Sequence, residues 1–201
     1  MIPGIILAAG KSVRMGRTKA LLPIAANETF LDRVTRTLRE GGVDDVIVVV
    51  GADAPAIRQA IVRNNTPARV VENPDYEQGQ LSSLVAALKA IDRPGVRAAL
   101  VTLIDVPLVN AATVRMLLQE YRGGASLIVR PTRDGRHGHP VIFDRALFDE
   151  LRKANPAEGA KEVVRAYSAE LLNVDVDDEG AFTDIDTPED YERWIGERAK
   201  G

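Results

Sequence analysis

The order of its apolar runs is the strongest constraint this chain places on its own fold. Ile2 to Ala8, Val46 to Gly51, Arg69 to Glu72 and Ala98 to Ile104 are short and rich in Val, Ile and Leu. Runs of that kind suit strands covered on both faces. Helical periodicity fills the gaps between them: Leu31, Val34 and Leu38 share a stripe in Phe30 to Glu40, Ile57 and Ile61 in Ala54 to Arg63, and Leu84, Leu88 and Ile91 in Gln80 to Ile91. Asn110 is a candidate N-cap for a further helix carrying Val114, Leu117 and Tyr121. The resulting βαβαβαβα order predicts an α/β fold of three layers, a mostly parallel sheet with helices on both faces. At 201 residues, the chain fits one domain over 1–201.

Beyond Ser126 the pattern changes. Two strand-like runs, Leu127 to Arg130 and Pro140 to Phe143, flank the polar segment PTRDGRHGH, which reads as an excursion over the active-site edge. Helical stretches at Arg145 to Lys153 and Gly159 to Tyr167 and a strand at Leu171 to Val176 follow. The segment TDIDTPEDYERWIGE then supplies a helix start, with Thr187 as N-cap, Pro188 at the first position and Asp190 completing a capping box.

Composition removes several function classes. A formal net charge of −3 gives no field that would gather nucleic acid or an anionic membrane. Absent cysteine excludes disulfides, thiolate nucleophiles and cysteine-ligated metals, and fits a reducing cytoplasm. The first apolar run is too short for a signal segment and no stretch is long enough to span a bilayer, so a cytoplasmic protein is expected. Without heptads or an unusually apolar helix face, the expected state is a monomer.

The segment AAGKSVRMGRTKALLP, between the first strand and the helix at Phe30, is long for a βα connection. In an open α/β sheet such a loop lies at the carboxyl edge, where ligands bind. Gly10 and Gly16 let backbone N–H groups approach oxygen atoms, and Lys11, Arg14 and Lys19 add positive charge. A surface loop with incidental basic residues is the alternative. Two other phosphate motifs fail on spacing. A Walker A loop would need glycine at Ile5, inside the strand, and no GxGxxG opens a helix here.

The stretch LAAGKSVRMGRTKALLP, Leu7 to Pro23, resembles the start of the MobA-like nucleotidyltransferases, LA(A/G)GxSxRMGxxK followed by an apolar LLP-type run. Ala9 makes it similar to the molybdenum cofactor cytidylyltransferase branch, since the guanylyltransferase branch usually carries LAGG. The resemblance implies a nucleotide-diphospho-sugar transferase-like, Rossmann-like fold. It also implies a nucleotide site formed by Leu7, Ala8, Ala9, Gly10, Lys11, Ser12, Arg14 and Lys19, with Arg14 on the β and γ phosphates and Lys19 against the α-phosphate.

Three further segments extend the resemblance. Asp105, in LIDVP, follows the fourth apolar run, and a carboxylate there suits a hard cation such as Mg²⁺. In the family this element gives the principal metal ligand, and a second comes from an element like DIDTP, Asp184 to Pro188, where Asp186 is the expected ligand and Asp184 the alternative. Both could instead only decorate a helix entrance. The stretch GQLSSL matches a nucleotide-contacting helix start: Gly79 permits close approach, Gln80 can read a base edge, and Ser82 or Ser83 can donate to an oxygen, with an ordinary N-cap as the plain alternative. RHGHPVIF resembles the GHPV element on the acceptor side, which points to His139 and Pro140 as acceptor contacts; a structural hydrogen bond of His139 is equally open.

The implied reaction is attack of an acceptor phosphate on the α-phosphorus of an NTP, with Mg²⁺ as cofactor, CTP as the favoured donor and molybdopterin as the acceptor. Val106 stands where the cytidylyltransferases commonly have Gln, which keeps GTP or UTP and a sugar or choline phosphate open. An NAD-dependent oxidoreductase and a catalytically silent nucleotide-binding module are the readings from other classes.

Overall fold

The computed structural model describes residues 1–196; Glu197 to Gly201, including the last residue of the segment read as the C-terminal helix start, lie outside the described residues. The strands are β1 (Gly4–Ala8), β2 (Pro23–Ala25), β3 (Glu28–Thr29), β4 (Val46–Val50), β5 (Arg69–Glu72), β6 (Ala98–Leu103), β7 (Ile128–Arg133), β8 (Arg136–His137), β9 (Val141–Asp144) and β10 (Leu171–Asp175). The helices are α1 (Phe30–Glu40), α2 (Ala54–Asn64), α3 (Gln80–Ile91), α4 (Ala111–Gly123), α5 (Phe148–Lys153), α6 (Ala160–Ala166) and α7 (Pro188–Trp194).

The sheet is eight-stranded in the order β10-β7-β9-β6-β1-β4-β5, with β8 paired to β7 and a separate β2-β3 ribbon. Contacts of β1 with β4 and β6, of β4 with β5 and of β10 with β7 are parallel. β9 runs antiparallel to both β6 and β7. Sequence alone does not orient this strand. The few residues between Arg133 and Val141 cannot make the crossover that a parallel neighbour needs, so the chain doubles back.

The continuous apolar runs are explained by two-sided burial. Ile6 and Ala8 of β1 and Val46, Val48 and Val50 of β4 face α1, α2 and α4, while Ile5, Leu7, Ile47 and Val49 face α3, α5 and α6. Each such side chain, when fully buried, contributes about 1.5–3 kcal/mol. The mostly parallel, helix-covered sheet read from the sequence is thus what forms. No helix among the described residues is long and apolar enough to cross a membrane.

Helix α7 begins as the sequence indicates: Thr187 Oγ1 accepts from the Asp190 N–H, and the Asp190 carboxylate accepts from the Thr187 N–H. The expected cap of α4 is met in position only. Asn110 holds the N-cap position but makes no side-chain cap bond. Instead Asp178, buried at 5% exposure, accepts from the Asn110 N–H at 2.9 Å, Asn110 Nδ2 at 2.8 Å, Thr113 Oγ1 at 2.6 Å and the Gly180 N–H at 3.1 Å. The carboxylate thus holds the cap residue itself and the Thr113 side chain, at a helix N-terminus where negative charge is favoured.

Candidate active site

The long loop leaves β1 at the carboxyl edge of the sheet. Ser12 turns it with a left-handed φ of 50°, and the Ser12 carbonyl accepts from Met15 and Gly16 N–H. Met15 is buried in the core, which pins the middle of the loop, while Lys11 and Arg14 ahead of it stay exposed. Ser12 Oγ accepts from the Lys19 N–H at 3.2 Å, and Thr18 Oγ1 donates to Asp53 at 2.7 Å. The loop therefore closes on itself and delivers Lys19 inward, where its side chain is only 10% exposed.

There Lys19 Nζ meets two carboxylates. It donates to Asp105 Oδ2 at 3.0 Å and to Asp186 Oδ1, and Arg14 reaches the other oxygen of Asp186 at 2.8 Å. Two backbone arrangements bring these residues together. The Ile185 N–H donates to the Asp105 carbonyl at 2.8 Å, laying the DIDTP segment against the end of β6. Asp190, the capping-box carboxylate, also accepts from the Asp186 N–H at 3.2 Å. Asp184 lies at the rim of the cluster. Burial, then the Asp105 and Asp186 charges, pushes its carboxyl above the usual aspartate range.

A cleft of ≈ 230 Å³ opens beside this cluster. Of the residues read from the sequence, Leu7, Ala8, Ala9, Gly10, Ser12 and Lys19 line it from the loop, and Gly79, Gln80 and Ser83 from the start of α3, with Asp105 at its end. Lys11 sits outside, paired with Glu77 and 5.9 Å from the Tyr76 ring centroid. Ser82 points elsewhere: its hydroxyl donates to the Asp75 and Gly79 carbonyls at 3.0 and 2.8 Å. His139 is held through its N–H to the Ala181 carbonyl at 2.9 Å, its Nδ1 is buried without a partner, and Pro140 is buried behind it. Burial lowers the His139 pKa, and the nearby Asp105 charge works against that.

Sequence reasoning passed over Tyr76 and Asn73. Tyr76 lines the cleft, and buried Asn73 donates to both Ser82 and Ser83, fixing the entrance of α3. The signal was present in NPDYEQG, an asparagine and an aromatic residue just ahead of Gly79. Gly51 makes room for that ring, since a Cβ there would lie 2.6 Å from Tyr76 Cγ and 2.7 Å from the Ala9 carbonyl. Gly51→Ala is expected to cost about 1–3 kcal/mol by overpacking. A melting temperature equal to that of the unchanged protein would show that Tyr76 yields freely.

The donor set suits a hard divalent cation. Asp105 Oδ1 is buried without any partner, and the two carboxylates lie within reach of one cation, here Lys19. Among the described residues no group of three His, Cys, Asp or Glu could hold a metal alone, so a bound nucleotide would have to supply the remaining oxygens.

Residues 4–171 match the model of the MobA-like NTP transferase domain. The chain belongs to that family. Its members are nucleotidyltransferases, and the fold seen here is that of the nucleotide-diphospho-sugar transferases. This MobA-like chain is 32% identical to the nicotine blue oxidoreductase of Paenarthrobacter nicotinovorans, over 96% of either chain. It is 28% identical to the molybdenum cofactor cytidylyltransferase of Escherichia coli, covering 93% of this chain and 92% of that one. Among solved structures, Rv0371c of Mycobacterium tuberculosis superposes with a TM-score of 0.82 at 32% identity over 98% of both chains. The same protein in complex with manganese gives 0.71 at 30%, covering 97% of this chain and 98% of that one.

Proposed function

We infer that the protein transfers CMP from CTP to the terminal phosphate of molybdopterin and releases pyrophosphate, with Mg²⁺ as cofactor. The observation that carries this reading is Lys19, buried at the end of a phosphate-type loop and shared by Asp105 and Asp186. CTP and the acceptor rest on Ala9 and on the likeness to the E. coli cytidylyltransferase.

An acceptor phosphate is already an anionic nucleophile, so the site needs no general base; positioning and charge neutralisation set the rate. The backbone of Ala9, Gly10 and Ser12 cradles the triphosphate, and Arg14, released from Asp186, meets its outer phosphates. Lys19 stabilises the charge that builds on the α-phosphate oxygens. Gln80 and Ser83 face the nucleoside from α3, while Ser82 keeps that helix start in shape. Asp105 and Asp186 would hold the metal, which when bound neutralises charge on the phosphate oxygens; that the similar Rv0371c was obtained in complex with manganese supports a divalent cation. His139 faces the acceptor from beside Asp105, with Pro140 as its support.

The relative named nicotine blue oxidoreductase favours a second reading, reduction of a dye-like substrate. Transfer fits better, because hydride transfer has no use for two carboxylates sharing a buried lysine. One assay set separates them: Mg²⁺-dependent pyrophosphate release from CTP, GTP, UTP and ATP, each with and without molybdenum cofactor, alongside NADH and NADPH oxidation with nicotine blue. Release with CTP plus cofactor is expected. Nicotinamide oxidation without any pyrophosphate release would overturn the transferase reading.

A further inference from the structure

The β7–β8 hairpin carries three arginines, and only two of them are answered by carboxylates. Arg133 pairs with Asp177 at 2.8 Å, and Arg136 forms a two-point pair with Glu179 at 2.8 and 2.9 Å. Arg130 is half-buried, and among the described residues its one bond is from Nε to the neutral amide of Asn173 at 2.8 Å. Among the described residues no carboxylate pairs with it, and burial lowers the guanidinium's pKa. Its two terminal nitrogens are thus uncommitted donors on a charge that costs free energy to bury unpaired.

The register shows where those donors stand. Arg130 is opposite Asn173 on β10, and Thr132 is opposite His137 on β8, so all four side chains share one face of the sheet. Ile128, two residues before Arg130, is opposite Phe143, which is opposite Ala99 on β6. That face leads along β6 to Leu103, which lines the nucleotide cleft. Strand β7 is two places from β6 and Arg130 is level with Val101, so its backbone stands roughly 10 Å to the side of the Asp105 strand end and about 13 Å back along it. His137 adds a second donor; burial and then the Arg130 charge lower its pKa, which places the two groups in one electrostatic neighbourhood. The Thr132 hydroxyl is occupied by the Arg136 carbonyl, and Asp175, on the same face opposite Thr132, forms no ion pair with Arg130.

We propose that Arg130 and His137 form an oxyanion-binding end of the acceptor site: the acceptor, its reacting phosphate beside Asp105 and Lys19, carries a second oxyanion on the order of 10–16 Å away, over the span from the Asp105 strand end to Arg130, that the Arg130 fork clasps. This assignment rests on the nucleotidyl-transfer reading and narrows the acceptor to a compound with anionic oxygens at both ends. A bidentate guanidinium contact of this kind selects geometry as well as charge.

His137 and His139 are the only histidines of the chain, so their imidazole NMR signals report the two parts of the acceptor site separately. Titration of the full chain with inorganic phosphate, in the presence of Mg²⁺ and CTP, is expected to move the His137 signals saturably. Arg130→Gln is expected to weaken that response at least about tenfold. Arg133→Gln, which removes the same charge from the other face, is expected to leave it in place. A still His137, or a response that Arg130→Gln does not change, overturns the proposal. CTP binding is measured in parallel by calorimetry: failure of the unchanged protein to bind CTP defeats the donor reading, whereas intact CTP binding with an indifferent Arg130→Gln defeats the oxyanion site alone.

Discussion

Lys19→Ala is expected to lower the rate of pyrophosphate release at least about 100-fold, the scale found when one stabiliser of developing charge is removed. The buried ammonium bonds both Asp105 and Asp186, and its loss acts in two ways. On the proposed reading, it removes the positive group that faces the α-phosphate. It also leaves two carboxylates without the cation they share, with Arg14 paired to Asp186 alone. Asp105→Ala is expected to show a loss of similar size, because its Oδ1 is the buried oxygen without a partner. Lys19→Arg keeps the charge, but its planar fork does not fit the place of a compact ammonium, so rescue should be partial. Near-normal turnover in Lys19→Ala, with a native circular dichroism spectrum, would remove Lys19 from the reaction.

The second large effect concerns stability. Asp178→Ala is expected to cost about 2–4 kcal/mol, since it strips acceptors from several donors inside the fold at once. Four bonds converge on that carboxylate, tying the start of α4 to the segment that leads into DIDTP. For a chain of this size the loss corresponds to a fall in melting temperature of roughly 5–15 °C. Asp178→Asn, which keeps one acceptor oxygen, should fall between the two. A melting curve for Asp178→Ala that overlays the original would show that the donors find other partners without cost.

The α/β architecture was legible because each central strand is buried on both faces and so is written as an unbroken apolar run, as in Val46–Val50. The phosphate loop was legible for a different reason, since its glycines and cations have fixed spacing from Leu7 to Lys19. Partners distant in sequence were not. Nothing local in Asp178 announces that it caps a helix 68 residues earlier, and Asn110 looked sufficient because amides cap many helices. The antiparallel course of β9 and the short β2-β3 ribbon are decided by connection length and pairing, which periodicity does not encode. Tyr76 escaped notice because an aromatic residue in a polar segment has no periodic neighbours to mark it.

Lys19 and Asp186 are 167 residues apart in the chain, and α7 is fastened to the opening segment by Tyr191, whose hydroxyl donates to the Pro23 carbonyl at 2.8 Å. On a ribosome adding roughly 5–20 residues per second, the loop that ends in Lys19 is out for on the order of ten seconds before Asp186 is even made. For about the first half of that interval Asp105 is not yet made either, and for the rest it is the one carboxylate of the pair present. Helix α7, made late, is therefore the clasp that brings the second carboxylate to Lys19, and a nascent chain can line the cleft before it completes the charge cluster beside it.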